Sequence, residues 1–71
     1  MTWNYRVVHR VSEGENIFAI HEAYYNREGK KAGSISKEPT WPQSDTLLAL
    51  KEDFKQYQRA WKLPVLEYDD F

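Results

Sequence analysis

Residues 47–61 read LLALKEDFKQYQRAW, and their apolar side chains recur at alternating spacings of three and four residues. On an α-helix, this spacing brings the apolar side chains into one continuous stripe. The stripe consists of Leu47, Leu50, Phe54, Tyr57 and Trp61. We therefore predict one long amphipathic helix near the C-terminus.

The two ends of this helix carry residue types that favour helix termini. Ser44, Asp45 or Thr46 can cap the N-terminus, because a short polar side chain accepts hydrogen bonds from unpaired backbone N–H groups. Arg59 lies near the C-terminus, where the helix dipole favours positive charge. Pro64 then ends the helix, because proline lacks the backbone N–H that a helix requires.

Three segments before the helix have the features of β-strands. Residues 3–11 alternate between apolar and polar side chains, whereas residues 16–25 are largely apolar on both faces. Residues 12–15 (SEGE) predict a hairpin loop, and residues 26–29 (NREG) predict a turn, because glycine readily takes a positive φ. Residues 30–37 predict a weaker third strand, whose lysines suit an exposed sheet edge.

These elements place the chain in the α+β class. We predict a three-stranded antiparallel meander followed by one long amphipathic helix and a short C-terminal strand or docked tail (β-β-β-α-β), in a single domain over residues 1–71. A right-handed crossover would bring the tail parallel to the first strand and give the sheet order 3-2-1-4. We expect Leu66 and Tyr68 to pack on the helix. A free binding peptide is the alternative for this acidic tail.

The second strand is the source of the main functional hypothesis. Because it is apolar on both sides and one helix covers only one side of a sheet, the other side is expected to be an interface. Phe18, Ile20 and Tyr24 lie on one of its faces and are candidate interaction residues. The sequence does not show which face the helix covers.

A basic flank runs along the helix and offers a second candidate surface. It consists of Lys51, Lys55, Arg59 and Lys62. These side chains could contact phosphate or an acidic partner. The alternative is an ordinary solvated helix face, on which Glu52 reaches Lys55 three residues later.

The two histidines do not form a recognisable chemical motif. His21 and Glu22 are adjacent on a strand, so their side chains point to opposite faces and cannot bind one ion together. His9 lies on the apolar face of the first strand and could sit close to His21 across the hairpin. We favour hydrogen-bonded structural roles for both histidines. The sequence predicts no catalytic residue, no metal site and no cofactor.

Composition restricts the classes of function. Ten basic and eleven acidic residues give a net charge of −1, which argues against nonspecific coating of nucleic acid. The chain has no cysteine, no long apolar run and no apolar leader, so we expect a cytoplasmic location without membrane contact. We expect a protein-interaction or regulatory module whose partner is a second copy or another protein. A nucleic-acid contact is the alternative, and a small enzyme ranks last.

Three segments resemble a group of short bacterial proteins without an assigned activity. They are residues 3–8 (WNYRVV), 20–25 (IHEAYY) and 64–71 (PVLEYDDF). This resemblance implies a bacterial, stand-alone cytoplasmic domain.

A second resemblance concerns the order of the elements. Three strands followed by residues 45–47 (DTL), with Leu50 and Asp53 on the helix, are similar to the N-terminal domain of HicB-type antitoxins. That resemblance implies a partial RNase-H-like sheet that occludes a small toxin. Residues 39–42 (PTWP) replace the Pro-Asp-Leu-Pro-Gly segment of that family, and no DNA-binding appendix follows.

Overall fold

The computed structural model describes residues 2–26 and 31–71, and these residues form a four-stranded sheet and one α-helix. The elements are β1 (Thr2–Ser12), β2 (Glu15–Tyr25), β3 (Ala32–Ile35), α1 (Leu47–Arg59) and β4 (Leu66–Glu67), with 3₁₀ turns at Ala60–Lys62 and Tyr68–Asp70. The predicted α+β class is confirmed.

The hairpin of β1 and β2 is the longest paired unit of the sheet. The two strands are antiparallel from Thr2↔Tyr25 to Ser12↔Glu15. The connection is tighter than predicted, because only Glu13 and Gly14 lie between the strands, both with positive φ. Positive φ at both central positions matches the right-handed twist of the flanking strands.

The sheet is mixed and has the order β3-β2-β1-β4. β3 is antiparallel to β2, whereas β4 is parallel to β1, as predicted for a crossover connection. The third strand covers less than the predicted residues 30–37, and its pairing is irregular beside Tyr24 and Tyr25. Residues 27–30 lie outside the described residues, and with them most of the predicted turn at residues 26–29.

The helix begins at a polar side chain that accepts a hydrogen bond from the backbone of the first helical turn. Thr46 is the cap among the three candidates: its Oγ1 accepts a hydrogen bond from the backbone N–H of Ala49 at 3.1 Å. The helix ends at Arg59 and tightens into a 3₁₀ turn, so Trp61 lies just beyond the α-helix. Leu63 is extended, because the residue before a proline disfavours the helical conformation.

The helix packs on one end of one sheet face, which we call the helix face. The ring of Tyr57 stacks on Tyr5 of β1 with centroids 4.0 Å apart. Because Tyr5 pairs with Glu22, the helix face also carries Phe18, Ile20 and Tyr24. These predicted interface residues therefore do not lie on the face opposite the helix. The helix covers only part of this face, and Phe18 remains 64% exposed.

The opposite face, which we call the tail face, is closed by the C-terminal residues. Leu66 and Ile35 pack there against a buried cluster of Ala23, Tyr25 and Ala32. The tail is therefore docked, but Leu66 packs on the sheet. The Tyr68 ring also lies against sheet residues, Arg10 and His21, contrary to the prediction that both side chains pack on the helix. The expectation of an uncovered face opposite the helix is wrong, because residues of the tail cover it.

Candidate interaction surface

The apolar stripe of the helix is only partly used by the fold. Tyr57 is buried and Leu50 is half-buried, but Leu47, Phe54 and Trp61 are 67%, 48% and 69% exposed. The cause is the position of the helix at one end of the sheet, which leaves one flank of the stripe without strand residues to contact. We call Leu47, Phe54 and Trp61 the exposed stripe.

The exposed stripe has a regular spacing along the chain. Leu47, Phe54 and Trp61 are seven residues apart, which is two helical turns. Side chains at this interval lie on one line of a helix surface, and seams between paired helices use the same interval. The spacing therefore places Leu47, Phe54 and Trp61 along one side of the helix and of the 3₁₀ turn that follows it.

The core is small compared with this exposed surface. Among the described residues, the buried apolar side chains are Val8, Ala23, Tyr25, Ala32, Tyr57 and Ala60, and three of these are alanines. Large apolar side chains are thus more often exposed than buried, the reverse of the usual distribution. The folded chain holds much of its apolar surface outside its own core.

The accessible surface area and the radius of gyration of the chain agree with this large share of exposed apolar side chains. The accessible surface is 5748 Å², whereas a compact monomer of this mass exposes about 4,700 Å². The radius of gyration is 12.9 Å, whereas a compact domain of this length has about 11 Å. The isolated chain is therefore more open than a self-contained domain of its size.

The predicted basic flank lies on the surface, but a neighbouring acidic side chain offsets part of its positive charge. Lys51, Lys55, Arg59 and Lys62 are all exposed. The Lys55 ammonium pairs with Glu52 at 3.3 Å, and a guanidinium nitrogen of Arg59 donates to the Gln56 side chain at 3.3 Å. The flank therefore presents charges of both signs.

The two histidines lie on opposite faces of the sheet. The register pairs His9 with Phe18 and Arg6 with His21, so His9 is on the helix face and His21 is on the tail face. The hypothesis that they approach each other is wrong. His21 is buried, and its Nδ1 lies 2.9 Å from the backbone oxygen of Ser36.

His9 holds two polar partners through its two ring nitrogens. Nδ1 lies 2.8 Å from Glu67 Oε2, and Nε2 lies 2.8 Å from Asn16 Oδ1. Hydrogen bonding to Asn16, followed by hydrogen bonding to Glu67, raises the pKa of His9 above its ordinary value. The side chain thus joins β1 to β4 and to the start of β2.

Arg6 is a buried charge that alternation along β1 does not reveal. Its guanidinium donates to the Tyr25 hydroxyl at 2.7 Å and to the backbone oxygen of Pro64 at 2.6 Å. Arg10, two residues later, lies over the ring of Tyr68 at 4.3 Å. Both arginines hold the tail against the sheet.

A cleft of about 600 Å³ opens between the helix and the loop that precedes it. Its lining residues are Tyr5, Pro39, Thr40, Trp41, Gln43, Ser44, Asp53 and Tyr57. Asp53 is half-buried, and its Oδ1 lies 3.4 Å from the Tyr5 hydroxyl. Burial is the main cause that raises the pKa of Tyr5, with hydrogen bonding to Tyr57 second.

The sequence interpretation did not identify this cleft. One signal was present: Asp53 lies three residues after Leu50 and four before Tyr57, which places a carboxylate on the side of the helix that faces the sheet. The contribution of residues 39–44 could not be predicted, because it depends on how the loop folds back towards Tyr5.

The structure offers no metal centre among residues 2–26 and 31–71, where no three metal-ligating side chains come together. None of the helices in that part of the chain has the length and apolar character needed to cross a membrane.

Known proteins give no further guide to this surface. Comparisons with protein-family models, with curated proteins and with solved structures found no match. The two resemblances named above therefore remain predictions, and the functional argument rests on the geometry of this chain.

Proposed function

We propose that the protein is a protein-interaction module that pairs with a second copy of itself through the exposed stripe. The observation that carries this proposal is the exposure of Leu47 and Phe54 on α1 and of Trp61 in the 3₁₀ turn that follows it. Large apolar side chains exposed along one side of an element are typical of an interaction site.

The surface area supports a second copy as the partner. The chain exposes roughly 1,000 Å² more than a compact monomer of its mass, and a standard interface buries about 800 Å² per partner. Pairing would therefore bring the exposed surface close to that of an ordinary folded protein. The net charge of −1 adds little repulsion between two copies.

The spacing of the stripe favours antiparallel pairing about a twofold axis near Phe54. Because Leu47 and Trp61 are equally distant from Phe54, each Leu47 would meet the second copy's Trp61, and the two Phe54 rings would meet each other. The same arrangement places Asp45, near one helix end, towards Arg59 or Lys62 near the opposite end of the second helix. Antiparallel helix dipoles also favour this orientation.

Sedimentation equilibrium across a dilution series tests the proposal. We expect the wild type to approach twice the chain mass of 8.5 kDa as concentration rises. Phe54→Ser and Trp61→Ser should each weaken pairing by about 2 kcal/mol, a roughly 30-fold higher dissociation constant, because central aromatic residues dominate such interfaces.

Trp41→Ser is the matched control, since Trp41 is also an exposed aromatic residue but lies outside the stripe. It should dimerise like the wild type. A wild type that stays at 8.5 kDa at every concentration contradicts the proposal. Stripe variants that pair as tightly as the wild type also contradict it.

A further inference from the structure

The carboxylate of Asp53 lacks a cationic partner within the described residues. It is half-buried, and its Oδ1 accepts a long hydrogen bond of 3.4 Å from the Tyr5 hydroxyl. Its neighbour Glu52, by contrast, is exposed and pairs with Lys55. A carboxylate partly withdrawn from water is stabilised by a positive charge or by strong donors. Asp53 therefore has unused capacity to bind a cation.

The cleft around Asp53 has a composition that suits a particular ligand. Tyr5, Tyr57 and Trp41 supply aromatic walls, and Asp53 is the only charged side chain among the described residues that line it. The hydroxyls of Tyr57 and Thr40 lie 2.7 Å apart and bind each other. The cleft is thus aromatic with one negative charge.

A second cleft also contains Asp53, but its lining includes positively charged side chains. It has a volume of about 630 Å³, and its lining includes Arg59 and Lys62. These cations would repel a positively charged ligand on that side of the carboxylate. The approach to Asp53 from the Trp41 side is therefore the favourable one.

We propose that the cleft between α1 and residues 39–44 binds an organic cation, an ammonium or guanidinium group, with Asp53 as the counter-ion and Trp41 as an aromatic wall. A carboxylate accepts short, charge-assisted hydrogen bonds from such groups. Aromatic faces attract cations, more strongly when water is partly excluded. The volume of about 600 Å³ lies within the range of small-molecule sites.

Metal ions fit this cleft less well than organic cations. Calcium and magnesium require several oxygen ligands around the ion, whereas Asp53 is the single carboxylate among the described lining residues. An ammonium or guanidinium group needs fewer protein oxygens and gains from the aromatic walls. The cation could belong to a free amine or to a lysine or arginine side chain of another protein.

A titration with n-butylammonium, followed by NMR through the indole N–H signal of Trp41, tests this site. Trp41→Phe identifies that signal among the three tryptophans. We expect a saturable shift with n-butylammonium and no saturable shift with 1-pentanol, a neutral molecule of similar size. A blocked lysine peptide that binds more tightly than n-butylammonium identifies a protein side chain as the source, and equal affinity identifies a free amine.

Asp53→Asn should weaken binding of n-butylammonium at least about tenfold, because the amide keeps the shape but loses the charge. Glu52→Gln is the matched control on the neighbouring residue and should bind like the wild type. An undisturbed amide spectrum verifies that each variant is folded. Equal binding of 1-pentanol, no saturable shift with n-butylammonium, or unchanged affinity in Asp53→Asn overturns the proposal.

This site is independent of self-association. Phe54→Ser, designed to weaken pairing, leaves every residue lining the cleft in place. Its affinity for n-butylammonium should equal that of the wild type. A Phe54→Ser variant that no longer pairs but still binds n-butylammonium therefore separates the two proposals. If one proposal fails its experiment, the other is still tested by its own experiment.

Discussion

His9 connects three parts of the chain through one ring. Its two nitrogens face oxygens of Glu67 and Asn16, each at 2.8 Å, and its ring lies 4.8 Å from that of Phe18. Two acceptor oxygens are best satisfied by the imidazolium, which carries a proton on both nitrogens. The folded state therefore favours the charged form of His9.

This preference predicts a pH dependence of stability. Hydrogen bonding to Asn16 and Glu67 raises the pKa of folded His9. Its contribution is therefore fully present below the unfolded pKa, about 6.5, and is lost as pH rises through the higher folded pKa. Urea unfolding at a series of pH values measures this contribution as the difference between wild type and His9→Gln. A difference that is constant with pH, or that grows as pH rises, contradicts the account.

Alternation along a strand predicted which residues share a face, but not what covers that face. Arg6 falls on the polar side of β1 in the sequence pattern, yet it is buried, because the tail crosses it and Pro64 accepts its hydrogen bond. The distance between these residues along the chain explains the failure. Only the three-dimensional path of the tail brings them together.

At the scale of elements, short-range sequence patterns predicted the hairpin and the helix, because interactions between residues close in sequence determine these elements. The hairpin and the helix form where apolar periodicity and capping residues are strong, and their observed bounds lie close to the predicted ones. The third strand has few apolar side chains and is shorter than predicted. Leu66 packs on the tail face because that face offers Ala23 and Tyr25, which no local pattern near the tail reveals.

The N-terminal cap of α1 should contribute measurably to stability. Thr46→Ala removes the acceptor of the Ala49 N–H and should cost about 1 kcal/mol, which lowers Tm by about 4–8 °C in a domain of this size. Thermal unfolding followed by circular dichroism measures this change. Ser44→Ala is the control, because Thr46 supplies the cap, and it should leave Tm nearly unchanged. Equal Tm values for the two variants contradict the assigned cap.

The docking of the tail predicts different effects for two adjacent residues. Leu66 packs against the buried cluster of the tail face, whereas Val65 is exposed. Leu66→Ala should destabilise the fold by about 1–3 kcal/mol, less than a fully buried leucine would, and Val65→Ala should have little effect. Urea unfolding of both variants gives the comparison. If Leu66→Ala unfolds at the same urea concentration as the wild type, the tail does not stabilise the sheet.

At the scale of the whole molecule, the chain folds around a small core and leaves large apolar side chains of the exposed stripe on its surface. The sequence showed that α1 is amphipathic, but an amphipathic stripe predicts burial without saying whether the same chain or another one buries it. Here the sheet contacts Tyr57, and Leu50 is half-buried, whereas Leu47, Phe54 and Trp61 remain largely exposed among the described residues. A second copy is the cover that the surface area and the spacing of the stripe favour.

The most direct test of this account is an isotope-filtered NMR experiment on a mixture of labelled and unlabelled protein. It detects only contacts between different copies. The account predicts intermolecular cross-peaks between the Leu47 methyl groups and the Trp61 indole, and between Phe54 rings of the two copies. A mixture in which Leu47, Phe54 and Trp61 show no intermolecular cross-peaks would contradict pairing through the exposed stripe.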